Sequence, residues 1–173
     1  MKTRDHAVLF KGLVVDIEQF DVMIGEKGWH TYQIIRHPGG AAVLPLHDDG
    51  TVTLIRQLRP AVGDNMIEAP AGRLGPGEEP ASCALRELVE EAGLAARKIE
   101  SLGLIYPSPG VLDEAIHLFL ASGLSDVAAM PEEYEEIAMV RIPLAEAVQM
   151  AKDGRITDGK TIALLLRADG KGG

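Results

Sequence analysis

A layered sandwich of strands and helices, of the α/β or α+β class, is the fold this sequence predicts. Three observations carry that expectation. Val- and Ile-rich runs of strand length recur through the 173 residues, helical periodicity is confined to three later segments, and no stretch repeats another. From Ala7 to Ile24 the chain is rich in Val, Ile and Phe, punctuated by Gly12 and then Gly25 and Gly28, which reads as two strands and a turn. His30 to His37 reads as a third strand. His37-Pro38-Gly39-Gly40 is the clearest internal boundary, separating a β segment of residues 1–38 from a main domain of residues 39–173. Ala41 to Leu46 and Thr51 to Leu58 flank His47-Asp48-Asp49-Gly50, and Asp-Gly between two such runs predicts a hairpin.

Met66 to Ala69 reads as a short strand. Between Pro70 and Pro80 six of eleven residues are Gly or Pro, which predicts a long loop. Pro80 suits the first turn of a helix, Glu78 and Glu79 suit its positive end, and Gly93 suits its C-terminal cap. Within that helix Ala81, Ala84, Leu85, Leu88 and Ala92 follow the spacing of one buried face. Strands return at Ile99 to Tyr106, Ile116 to Ala121 and Ile137 to Ile142. Helices follow from about Pro143 to Lys152 and from about Thr157 to Ala168, and the tail Asp169 to Gly173 is expected to fray.

Composition narrows the function classes. Apolar residues make up 46% and charged residues 25%, a globular mixture that leaves disorder, collagen and coiled coil aside. The net charge is −9, from 17 basic and 26 acidic side chains, which repels phosphate backbones and argues against non-specific nucleic-acid binding. The single cysteine, Cys83, cannot form an internal disulfide, and no signal-like segment precedes Val14, so a reducing, cytoplasmic setting is expected. Apolar runs such as Ile162 to Leu166 are far too short to span a bilayer, so no membrane partner is expected.

The acidic helix carries the chemistry. Glu87, Glu90 and Glu91 stand at i, i+3 and i+4, so their carboxylates share a face and can converge on one point. A solvated charged face is the bland alternative. Two costs weigh against it: like charges at i, i+4 repel by about 0.2–0.5 kcal/mol, and each carboxylate in the last turn opposes the helix dipole by about 0.3–1 kcal/mol. A hard divalent cation would turn that repulsion into coordination. Arg86 beside them can orient a carboxylate or serve as a surface counter-charge.

Gly72, five residues, Glu78, seven residues, then Arg86-Glu87-Leu88-Val89-Glu90-Glu91-Ala92-Gly93-Leu94 resembles a complete Nudix box, with all nine defining positions filled across 23 residues. The resemblance implies the Nudix α/β/α sandwich with a mixed sheet, and hydrolysis of a nucleoside diphosphate linked to another group. It makes Glu87, Glu90 and Glu91, with the Ala71 carbonyl, ligands of two or three Mg²⁺ or Mn²⁺ ions, and makes Arg86 and Glu78 residues that orient them. Such ions would polarise the diphosphate and lower the pKa of the attacking water.

Outside the box, Arg56-Gln57-Leu58-Arg59-Pro60, Glu68-Ala69-Pro70-Ala71-Gly72 and Pro107-Ser108-Pro109-Gly110 resemble the ADP-ribose pyrophosphatase branch, in which a proline lies some fifteen residues past the box, as Pro109 lies fifteen past Leu94. Enzymes acting on other nucleoside diphosphate sugars, GDP-mannose included, share these motifs. The resemblance implies that Arg59 holds a phosphate and that Glu68 lies near the terminal ribose or the metals; a surface strand arginine and an edge-strand carboxylate are the alternatives. It also implies that the segment before His37 exchanges across a homodimer, with Trp29 stacking on adenine at the partner's site, Tyr32 and Arg36 being weaker candidates. Trp29 as a dimer or core anchor is the alternative.

Cys83 reads as a small half-buried residue, the five histidines show no metal-ligand spacing, and Ser108 has no evident His/Asp partners. A general base is expected beyond the box, because the metals would engage its glutamates. Pro131-Glu132-Glu133-Tyr134-Glu135-Glu136 offers four carboxylates before the strand at Ile137. The resemblance places a catalytic glutamate there, favouring Glu135 with Glu133 and Glu136 as alternatives. A nucleotide-sensing module that does not cleave its ligand is the reading from another class, and such modules tend to lose the metal ligands this box retains.

Overall fold

The computed structural model describes residues 1–130 and 136–170. Glu133 and Glu135, two of the candidate bases, and the end of the tail at 171–173 lie outside the described residues. The chain divides into two units, Met1–Gly39 with Tyr106–Ala115, and Gly40–Ile105 with Ile116–Gly173.

The first unit is an antiparallel meander of β1 (Thr3–Lys11), β2 (Asp16–Met23) and β3 (Trp29–Arg36). Every residue of β1 is exposed, and of the meander only Phe20 and Val22 are buried. β3 is tied to the 106–115 segment: Ile35 N–H donates to the Val111 carbonyl at 2.7 Å, and Arg36 bonds Asp113 at 2.9 Å. The cavity beside it, about 550 Å³, is lined by Phe20, Val22, Tyr32, Ile34, Pro109 and Leu112 among others.

In the second unit β4 (Gly40–Pro45), β5 (Thr51–Arg59), β6 (Asp64–Glu68), β7 (Ala71–Arg73), α1 (Pro80–Ala92), β8 (Leu94–Ile105), β9 (Ile116–Asp126), β10 (Ile137–Pro143), α2 (Leu144–Lys152) and α3 (Gly159–Asp169) follow in chain order. A mixed sheet runs β7-β4-β9-β8, with β4 and β9 parallel, and a smaller antiparallel sheet runs β10-β5-β6. β4 is buried along its whole length and explains the layering. Its alternate side chains face opposite ways: Ala41 and Val43 pack with Cys83, Ala84 and Leu88 of α1, while Ala42 and Leu44 pack with Ala147 of α2 and Leu164 and Leu165 of α3. Helices therefore cover both faces, as the fold class requires.

The hairpin expected at Asp48-Asp49-Gly50 is a turn without a ladder. His47 N–H donates to the Thr51 carbonyl and Leu46 bridges Val52, but β4 and β5 then enter different sheets. The turn chemistry is local, whereas a strand buried on both faces needs neighbours on both edges, and β7 and β9 supply them. The Gly/Pro loop differs too, since it contains β7, paired to β4 from Ala71 to Arg73. β8 and β9 run longer than their apolar runs suggest, because each continues the other's ladder to Leu94 and Asp126.

Candidate active site

Pro80 opens α1 and Gly93 ends it in the left-handed conformation, φ 60°, with its N–H reaching the carbonyls of Leu88 and Val89. Between these caps the helix buries Cys83, Ala84, Leu88 and Ala92, and on the same side Glu87 and Glu91, 8% and 5% exposed. A solvated acidic face does not describe them. Cys83 is fully buried rather than half-buried, because it packs beneath β7 with its Sγ 3.6 Å from the carbonyls of Gly72 and Arg73.

The guanidinium of Arg86 gathers three carboxylates. Its Nη1 donates to Glu87 at 2.6 Å and Glu90 at 2.8 Å, and its Nε donates to Glu78 at 3.0 Å. Nη2 donates to Glu78 and to the Arg73 carbonyl, which fastens the helix to β7. Glu78 also accepts the Gly75 N–H at 2.8 Å. Arg86 first, then that N–H, pull the Glu78 carboxyl down to about 2. The Arg86 guanidinium is held above its ordinary range, chiefly by Glu78. At Gly72 a Cβ would lie 1.7 Å from the Glu87 carboxylate, so only glycine lets that carboxylate lie against the backbone. The Ala71 N–H donates to Glu91 at 2.8 Å.

Oxygen donors of this kind suit a hard divalent ion. Glu87 decides the fit, being a nearly buried carboxylate in a gap that a Cβ would fill and already compensated by a cation. The three acids do not converge on one point as expected from their spacing. Glu87 and Glu90 are drawn to Arg86 and Glu91 to Ala71, and among the described residues no three His, Cys, Asp or Glu groups are placed to hold a metal ion together.

A second ionic cluster lies where β5 and β6 pair. Arg59 grips Glu68 with two bonds, Nε to Oε1 at 2.7 Å and Nη2 to Oε2 at 3.0 Å. Lys160, at the start of α3, also donates to Glu68, and pairs with Asp158 at 3.0 Å. Glu68 is 2% exposed. Burial alone would push its carboxyl up, but Arg59 and Lys160 together bring it below the ordinary value. Arg59 is partly exposed on β5 and Glu68 stands on the edge strand β6, as the alternatives have it, but the two are joined to each other and Glu68 is buried. Lys160, Asp158 and Thr161 escaped sequence reading, whose only signal for them is the helix-cap spacing of Asp158 and Thr161.

The other expected site residues stand apart. Arg56 is exposed on β5, and Glu136 is exposed just before β10. Trp29 belongs to the first unit, 36% exposed with the Arg4 guanidinium 4.3 Å from its ring centroid, so it is no core anchor there. Arg36 pairs with Glu18 and Asp113 in that unit, where Pro109 and Tyr32 line the cavity.

Comparison with known proteins places the chain. The NUDIX domain model matches residues 36–165. An ADP-ribose pyrophosphatase of Bacillus subtilis (strain 168) is 36% identical over 162 residues, 92% of this chain and 88% of the relative. A methanol dehydrogenase activator of Bacillus methanolicus is 37% identical, covering 93% and 88%. A GDP-mannose pyrophosphatase of Pectobacterium atrosepticum is 34% identical, covering 95% and 88%. A solved structure described as an ADP compounds hydrolase superposes with a TM-score of 0.85 at 20% identity, over 98% of this chain and 92% of its own, which shows a shared fold. With Arg86, Glu87, Glu90 and Glu91 on the expected helix α1 and the family model covering most of the chain, this protein belongs to the Nudix family of hydrolases.

Proposed function

We propose that the protein hydrolyses ADP-ribose to AMP and ribose 5-phosphate with the help of divalent ions. The observation that carries this reading is the buried Glu87 and Glu91 pair on α1 against the Ala71-Gly72 backbone, joined by the likeness to an ADP-ribose pyrophosphatase. Nudix hydrolases generally use divalent metal ions. Glu87, Glu90, Glu91 and the Ala71 carbonyl would hold Mg²⁺ or Mn²⁺, two or three ions by family likeness, which when bound supply charge neutralisation and acidify water. Arg86 and Glu78 hold those carboxylates in place. Arg59 is the candidate for holding a phosphate, and Glu68 anchors Arg59 from below. A carboxylate of the segment before β10, Glu135 foremost with Glu133 and Glu136 as alternatives, takes the proton of the attacking water. Water oxygen bonds to one phosphorus, the bridging P–O bond breaks, and each product leaves with one phosphate.

The 1–38 segment serves, in this reading, as a homodimer element. β1 is exposed throughout, and a three-stranded meander with two buried apolar side chains is marginal alone. Trp29, exposed, would then stack on adenine in the partner's site. A reducing, cytoplasmic location suits a chain with one cysteine; among the described residues no helix is long and apolar enough to cross a membrane. The second reading, a pyrophosphatase for another nucleoside diphosphate sugar, is favoured by the GDP-mannose pyrophosphatase relative. A panel of ADP-ribose, GDP-mannose and NAD with Mg²⁺, with products identified by chromatography, separates the two. The expected result is the highest kcat/KM for ADP-ribose with AMP and ribose 5-phosphate as products; preference for GDP-mannose would install the second reading.

A further inference from the structure

One turn of α3, remote in sequence from the Nudix box, is bonded to the strand that leads into it. Asp158 caps α3, its Oδ2 accepting from the Thr161 N–H at 3.0 Å and from the Thr161 hydroxyl at 2.5 Å. The same hydroxyl oxygen accepts the Ala69 N–H at 2.7 Å. Thr161 and Ala69 are both fully buried, so without this bond the Ala69 N–H has no water to turn to. Lys160 holds the preceding residue, Glu68. Pro70 follows with its φ fixed by the ring, and its carbonyl accepts the Val43 N–H at 2.9 Å from β4. Ala71 is next, and its N–H holds Glu91. Every residue from Glu68 to Ala71 is therefore pinned, and the first turn of α3 supplies the bond to Ala69 and, beside Arg59, one of those to Glu68.

We propose that Thr161 is a positioning residue for the metal site: through Ala69 and the stiff Pro70 it fixes where the Ala71 backbone and Glu91 stand. The inference rests on the metal role proposed for Ala71 and Glu91. Groups that orient metal ligands typically contribute about 10–100-fold to affinity.

The test is Mn²⁺ affinity without substrate, read from the electron paramagnetic resonance of free Mn²⁺, alongside Tm. Thr161→Val keeps the shape and removes the hydroxyl; it is expected to weaken Mn²⁺ binding by about 10–100-fold, while Thr161→Ser restores it. Leu165→Ala removes core packing from the same helix without touching the latch, and is expected to lower Tm while Mn²⁺ binding stays as in the wild type. Unchanged affinity in Thr161→Val, or equal weakening in Leu165→Ala, would overturn the proposal and make the contact a matter of stability alone. Should Thr161→Val fail to fold, Thr161→Ala, which likewise removes the hydroxyl that accepts the Ala69 N–H, carries the same two outcomes. Wild-type protein that binds Mn²⁺ but cleaves no member of the substrate panel would sink the substrate reading and leave the latch standing. Wild-type protein that binds no Mn²⁺ would end both the metal role and the latch.

Discussion

The Arg86 cluster and the Glu68 cluster use the same side-chain types within one unit and differ in charge balance. Around Glu68, two cations, Arg59 and Lys160, meet two carboxylates, Glu68 and Asp158. Around Arg86, one guanidinium is shared by Glu78, Glu87 and Glu90, with Glu91 one helical turn from Glu87. The balanced cluster holds β6 to α3 through the buried Glu68, while the Arg59 side chain stays 37% exposed, as its proposed phosphate role requires. An acid-rich cluster, with one guanidinium among three carboxylates, keeps an excess of negative charge that a further cation would offset. The two clusters thus differ in the number of positive charges that meet their carboxylates.

In the proposed reading the box glutamates are given to metal ions and Glu68 to Arg59 and Lys160, so the base is looked for elsewhere. The largest effect on turnover is therefore expected outside them, at Glu135. Glu135→Gln should lower kcat by about 10²–10⁴-fold, the range for general base catalysis, while KM stays within about threefold. Assaying Glu133→Gln and Glu136→Gln in parallel assigns the role. If none of the three slows turnover by more than about tenfold, the base lies elsewhere or the water needs none.

Glu91→Gln comes next and separates the clusters by kind. A Gln side-chain oxygen can still accept the Ala71 N–H, so the shape survives and only the ligand charge goes. The expectation is a loss of about 10²–10³ in kcat, by comparison with other electrostatic groups in active sites, with Tm almost unmoved. Near-wild-type turnover would reduce the acid-rich cluster to a second structural one.

How much of this contrast was legible in the chain depends on whether its cause is local. α1 was readable because Pro80, Gly93 and the spacing of Ala84, Leu88 and Ala92 all act within one helix, and Glu87, Glu90 and Glu91 could be placed on it by counting. The separation of β4 from β5 was not, because Asp49-Gly50 speaks for a turn while the burial of β4 is settled by strands far along the chain. Lys160 and Thr161 meet Glu68 and Ala69 across 92 residues, and nothing in Asp158-Gly159-Lys160-Thr161 beyond a helix cap announces that contact. Cys83 read as half-buried because β7, which covers it, was hidden in a run of Gly and Pro.

Glu68→Gln should act on stability rather than on rate. At pH 7 it removes one side of a buried pair, a loss of about 3 kcal/mol, the lower end for such pairs because Arg59 remains partly in water. For a chain of this size that lowers Tm by about 6–12 °C. The sign with pH follows from the depressed folded-state pKa. The Glu68 contribution is present above its ordinary value of 4.5 and is lost as pH falls through the lower folded value. Denaturant midpoints of wild type and Glu68→Gln should therefore converge below about pH 4.5. A constant gap from pH 7 to 3, or a variant with unchanged Tm and collapsed kcat, would move Glu68 into the catalytic cluster.

The smallest effect is expected at Cys83, which lies inside the acid-rich cluster yet takes no part in its chemistry. Its thiol is fully buried, and burial first, with Glu78 and Glu87 adding to it, pushes its pKa up to about 11. At pH 7.5 the nucleophilic thiolate is therefore almost absent, and no reagent reaches it while β7 is in place. A disulfide reagent should modify native protein only as fast as the protein opens, and the labelling rate should rise with denaturant in step with unfolding. Rapid labelling of the folded protein at a rate independent of denaturant would show that β7 and α1 part in the native state. The close approach of Glu87 to Gly72 would then be a mobile feature of the site, and the contrast with the Glu68 cluster would be one of dynamics as well as charge.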